Sequence, residues 1–126
     1  MRTGMPPRLA WQAISHDDGF NWGDWKYSDV KNPGTALEMI KLKNGHVVLV
    51  SNDSKKERSS ITMALSYDEG RTWPVRKVIE YKAGSVSTYP SVMQDKDGLI
   101  HVVYSYDSRT NIVHFVTDEK WLESSN

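Results

Sequence analysis

One eight-residue pattern occurs twice in this chain and constrains it more than any other feature. Ser15-His16-Asp17-Asp18-Gly19-Phe20-Asn21-Trp22 and Ser66-Tyr67-Asp68-Glu69-Gly70-Arg71-Thr72-Trp73 share S-x-D-x-G-x-[TN]-W, with every matched pair 51 residues apart. Asn44-Gly45 and Asp97-Gly98 also correspond, 53 residues apart. A further trace, Thr117-Asp118-Glu119-Lys120-Trp121, keeps a hydroxyl and a carboxylate but not the glycine. A period near 50 residues with about four strands in it is the sequence signature of a propeller blade. The octapeptide itself reads as a folded hairpin corner. A short carboxylate can accept backbone N–H groups across its own turn. Gly19 and Gly70 supply a conformation that other residues resist. Ser15 and Ser66 can cap nearby backbone groups, and Trp22 and Trp73 offer one large apolar anchor each between neighbouring sheets. A catalytic or calcium-binding role for Asp17 and Asp68 is the alternative; a site repeated once per blade reads better as architecture.

The apolar pattern between these corners predicts strands and no helix. Residues alternate or cluster in runs of five to eight bounded by turn residues. The runs are Arg8–Ser15, Ala36–Leu42, His46–Ser51, Ser60–Ser66, Val75–Tyr81, Tyr89–Gln94, Leu99–Tyr106 and Asn111–Thr117. ALEMIKL taken alone fits one or two helical turns, but Asn-Gly and a β-branched run follow it, which favours a strand. Asn44-Gly45 is a strong short-range hairpin signal, because both residues tolerate positive φ. Short linkers predict sequential antiparallel pairing. With a second strand after the first corner, the count is nine: a pair over 8–33, a four-stranded unit over 34–82 and a three-stranded unit over 83–122, within one domain spanning 1–126.

Composition narrows the functional classes. Lys plus Arg and Asp plus Glu are both 16. That balance argues against wrapping nucleic acid or coating an anionic membrane. Absence of cysteine excludes disulfides, zinc-thiolate sites and cysteine catalysis. His16, His46, His101 and His114 show no metal-ligand spacing, so neither metal nor cofactor is expected. No apolar stretch approaches the ~18 residues of a membrane span, and no signal peptide is visible, which makes a cytoplasmic location the default expectation. Asn52-Asp53-Ser54 is an N-glycosylation sequon, relevant only in a secretory pathway.

The two octapeptides resemble the Asp box, or BNR repeat, of sialidases and related β-propellers. The runs ALEMIKLKNGHVVLVSND, ERSSITMALSYDEGRTW and STYPSVMQDKDGLIHVVYSY resemble the last third of a bacterial sialidase-like propeller, over about residues 8–122. The resemblance implies an all-β fold of antiparallel four-stranded blade units, about two per chain. It also implies a loop end, opposite the boxes, that carries Arg58, Arg109 and Tyr89. Arg58 matches an arginine that holds the substrate carboxylate, a task suited to its planar fork of donors. Arg109 falls in the next loop at that end. Tyr89 matches the region of the tyrosine nucleophile that sialidases use in place of a carboxylate, with Glu38 as its acidic partner. The family's other arginines and its aspartate acid have no counterpart here. Each of these residues also has a plain structural reading: Arg58 as a solvated loop arginine, Tyr89 as a packed aromatic before Pro90, Glu38 as a solvent-facing strand residue.

The functional expectation is a module without a complete active site that self-assembles and holds an acidic sugar on its loop end. The alternatives are an exo-sialidase-like glycosidase completed across subunits and a remnant without ligand function. Nine strands do not close a ring, so a homo-oligomer, dimer or trimer, is the expected assembly.

Overall fold

The computed structural model describes residues 1, 2 and 4–124; residue 3 and residues 125 and 126, the end of the expected domain, lie outside the described residues. Three antiparallel sheets form in chain order. The first pairs β1 (Leu9–Gln12) with β2 (Lys26–Lys31). The second is the meander β3 (Glu38–Lys41), β4 (Val47–Ser51), β5 (Ser60–Ser66) and β6 (Val75–Tyr81). The third is β7 (Thr88–Gln94), β8 (Ile100–Tyr106) and β9 (Asn111–Thr117). The protein is therefore all-β, and its second sheet has the four-stranded antiparallel form of a propeller blade.

Alternation along the strands explains how the sheets stack. In β4 every residue is buried. Val47 and Leu49 face one way, into a cluster with Ala10, Val30, Ala64 and Trp73. Val48 and Val50 face the other way, into a cluster with Ile61, Met63, Leu65, Val92, Ile100, Val102 and Tyr104. The middle sheet is thus covered on both faces, the first sheet against one and the third against the other. The outer sheets keep one open face each, and in β7 the burial alternates residue by residue. Such a pattern follows from a side-chain period of two.

Both octapeptides form the same corner. Ser66 Oγ donates to Asp68 Oδ1 at 2.7 Å and accepts from Gly70 N–H at 2.8 Å; Thr72 N–H and Thr72 Oγ1 donate to the two Asp68 oxygens at 2.8 and 2.6 Å. Ser15, Asp17, Gly19 and Asn21 repeat these bonds. Gly19 and Gly70 have φ of +91° and +83°, the region glycine enters without a Cβ penalty. The donors from Thr72 hold the Asp68 carboxyl down at about 2, so the corner stays ionised and bonded across ordinary pH.

Four expectations need correction or refinement. Trp73 is 6% exposed, but Trp22 is 65% exposed and anchors no sheet. Trp73 packs against Ala10 and Val30 of the first sheet, whereas among the described residues no sheet covers the equivalent ring of Trp22. Second, a helix exists: α1 (Glu119–Glu123) lies in the third trace of the repeat, where Asp118 caps it by accepting from Trp121 N–H. Without the glycine, the carboxylate that would bind a corner caps a helix instead. Third, the hairpin at Asn44-Gly45 forms, but its loop is longer than the two-residue turn that Asn-Gly favours. Leu42 and His46 close a three-residue loop in which Gly45, not Asn44, takes positive φ. Fourth, the first strand run is shorter than its apolar pattern, because Arg8 has φ +63° and the box begins soon after Gln12.

Candidate functional site

In an antiparallel meander successive turns alternate between two rims. The box corners and the turns at Gly45 and Gly98 share one rim. The opposite rim carries the β4–β5, β6–β7 and β8–β9 connections, and with them Arg58, the start of β7 and Arg109. Backbone bonds lace this rim together: Ser87 N–H donates to Arg58 O at 2.8 Å and Ser108 N–H to Val86 O at 3.0 Å. Asn52 reinforces it from beneath. Its side chain is fully buried and its amide donates to Ser60 O and Ser87 O at 2.6 and 2.8 Å. That amide is therefore a structural brace, and the sequon around it is closed to glycosylation in the folded protein.

Two strained segments meet on this rim. β7 slips register against β8 between Thr88 and Ser91, a bulge that contains Tyr89 and Pro90. Tyr89 has φ +54°, an outlier for a bulky side chain, and is 54% exposed. Asp107, Ser108 and Arg109 follow one another at φ +50°, +57° and +72°, a left-handed run that costs roughly 1–2 kcal/mol per residue. The two distortions bring their side chains together, with the Arg109 guanidinium 5.3 Å from the centre of the Tyr89 ring, within cation–π range. Bulges re-aim side chains in this way next to binding sites.

Asp107 ties the loop down. Lys82 Nζ lies 2.8 Å from its carboxylate, and Ser85 Oγ donates to it at 3.2 Å. The hydrogen bond with Lys82 holds the Asp107 carboxyl below its usual range and the Lys82 ammonium above its own. Among the described residues no ion pair engages Arg58 or Arg109, and both are exposed. Arg58 borders a shallow depression of 320 Å³ with Ser59, Tyr81, Gly84 and Ser85.

Glu38 stands apart from this group. It is half-buried on β3, the strand beside β7, and its Oε2 accepts from Val92 N–H at 2.9 Å. Among the described residues no hydrogen bond joins it to Tyr89. Thus the fold gathers Tyr89, Arg109 and Arg58 on one rim and uses Glu38 as a link between sheets. Sequence reasoning missed Lys82 and Asp107 because neither lies in a repeated motif. Asp-Ser before Arg109, a pair tolerant of left-handed turns, was the one available signal.

A four-stranded antiparallel sheet with Asp-box corners, flanked by partial sheets of the same kind, defines a BNR-repeat fold. The family comparison agrees: a model described as "BNR repeat-like domain" matches residues 1–102, and the chain belongs to that family. A sialidase from Micromonospora viridifaciens is 29% identical over 120 residues, covering 87% of this chain and 18% of the relative. The chain therefore spans less than a fifth of the length of that relative.

Proposed function

We propose that this chain is a sialidase-like module that binds an acidic sugar on the Tyr89–Arg109–Arg58 rim and does not turn it over. The observation that carries this reading is the convergence of two strained segments to place over an exposed tyrosine a guanidinium that has no ion pair among the described residues. Strain retained at one spot is a pointer to function. A guanidinium supplies a charge-assisted bond to a carboxylate, and the adjoining ring offers a face to a sugar. Catalysis would need a clamp of several arginines, an acid, and a tyrosine–carboxylate pair held to about half an ångström. Here Glu38 is engaged by Val92, and among the described residues no aspartate is hydrogen-bonded to Tyr89. The test is titration with a sialoside, followed by NMR, alongside release of a fluorescent leaving group. Binding lost in Arg109→Ala and Arg58→Ala, without turnover, is the expected result. Turnover abolished by Tyr89→Phe would replace this reading with the glycosidase; neither binding nor turnover would leave a remnant.

The assembly we propose is homo-oligomeric. The first sheet leaves Trp22 and Trp25 exposed at 65% and 56%, and the third leaves Met93 and Ile112 exposed at 58% and 73%. Open apolar faces of this kind mark contact surfaces. Two unlike faces in one chain suit a head-to-tail contact between copies. Sedimentation equilibrium at micromolar concentration should give a mass above 14.4 kDa, reduced to the monomer in Trp22→Glu. A wild-type chain that stays monomeric throughout would reject the assembly.

A further inference from the structure

A chain of three side chains crosses the open face of the third sheet, away from the loop rim. Asp95 follows β7, His101 lies on β8 and His114 on β9. His101 is directly opposite Val116 and His114 is opposite Val103, so the two imidazoles are diagonal neighbours on one face. Asp95 is firmly placed: its Oδ1 accepts from the backbone N–H groups of Asp97 and Leu99, both at 2.9 Å. Its other oxygen, Oδ2, lies 3.0 Å from His101 Nε2. An ionised carboxylate only accepts, so a proton sits on His101 Nε2, and the neutral form of the ring then keeps a lone pair on Nδ1. That lone pair faces His114 Nε2 at 2.9 Å.

We propose that His101 Nδ1 and His114 Nε2 form a two-nitrogen site for a divalent cation of the copper or nickel type, with Asp95 as the carboxylate that orients His101. A ligating histidine characteristically donates its other N–H to a carboxylate, which fixes tautomer and ring orientation; Asp95 supplies that arrangement before any metal arrives. Two nitrogens 2.9 Å apart, each about 2.0–2.1 Å from one ion, subtend about 90° at it. A right angle is the cis angle of tetragonal Cu(II) and Ni(II), whereas tetrahedral zinc would need the two nitrogens to spread to about 3.3–3.4 Å. The rings are nearly parallel, 18° apart with centroids 5.2 Å apart, and with this tautomer the His114 Nε2–H donates to His101 Nδ1. His114 is exposed, so its ring can turn off that line. Its proton then passes through solvent from Nε2 to Nδ1, and both lone pairs meet the ion, which gives up two waters. No third protein ligand joins them among the described residues, so water completes the coordination.

The test is calorimetric titration of the 126-residue chain with Cu(II), Ni(II) and Zn(II) at neutral pH, with electron paramagnetic resonance on the copper form. One Cu(II) per chain held by two nitrogens is expected, with Ni(II) next and Zn(II) weakest. His101→Ala and His114→Ala should each lower copper affinity by at least about tenfold, and Asp95→Asn by about 10–100-fold, the usual cost of losing an outer-shell partner. His16→Ala, at an exposed box position, should change nothing. Thermal melts of each variant separate metal loss from misfolding, and His114 is exposed enough to be replaced without unfolding the sheet. Absence of copper binding, affinity unchanged in a folded His101→Ala or His114→Ala, or tighter binding of Zn(II) than Ni(II) would overturn the site.

Discussion

Trp73→Ala should destabilise the protein by about 3–5 kcal/mol, the range for removing a buried aromatic. Trp73 fills the space between the first and middle sheets with Ala10, Val30, Val47, Leu49 and Ala64, and its truncation leaves a cavity that strands on both sides hold open. Trp22→Ala, in the matching corner, should cost less than about 1 kcal/mol when measured on dilute protein. Its ring is exposed, and its removal forfeits one local bond from the indole N–H to Gly19 O at 3.0 Å. Urea unfolding of the two variants side by side decides the matter. Equal losses would mean that the rings are equally covered, against the arrangement described here.

Leu122→Ala should cost about 2–5 kcal/mol although it lies in a helix of five residues near the end of the described chain. A helix that short has no stability of its own in water; it persists because Leu122, 2% exposed, enters the cluster between the middle and third sheets. Polar bonds then hold it in register. Lys77, itself buried, donates from Nζ to Trp121 O, Ser124 O and Ser124 Oγ at 2.8, 3.1 and 2.9 Å, and lies 4.2 Å from the Trp121 ring centre. Asn44 donates to Glu119 at 2.6 Å, and the Tyr67 hydroxyl to Glu123 at 2.7 Å. If the helix merely rests on the surface, the denaturant midpoint of Leu122→Ala will move little and protease sensitivity after Thr117 will not change. The expected result is a lowered midpoint together with cleavage near residue 118.

Everything that the sequence determined about this protein is short in range. The Asp-box corners were legible because Ser66, Asp68, Gly70 and Thr72 bond to one another within seven residues, and so do Ser15 to Asn21. The strands were legible because a half-buried sheet imposes a period of two, and β4 and β5 carry Val, Ile and Leu that suit a pleated surface. Family membership followed from the same repeat. What only the tertiary structure decided depends on what stands opposite. Trp22 and Trp73 sit in the same kind of corner and have opposite burial, because Trp73 meets the first sheet and, among the described residues, no sheet covers Trp22. The helix at Glu119–Glu123 exists through Leu122 and Lys77, contacts 40 or more residues distant in sequence for the latter. Asn52 became a brace only where Ser60 and Ser87 closed over it. Arg109 reached Tyr89, and His114 reached His101 and through it Asp95, because pairing of β7, β8 and β9 set the register between them. A pattern of residue types specifies which turns and strands form; pairing and stacking, summed over distant contacts, specify which side chains meet.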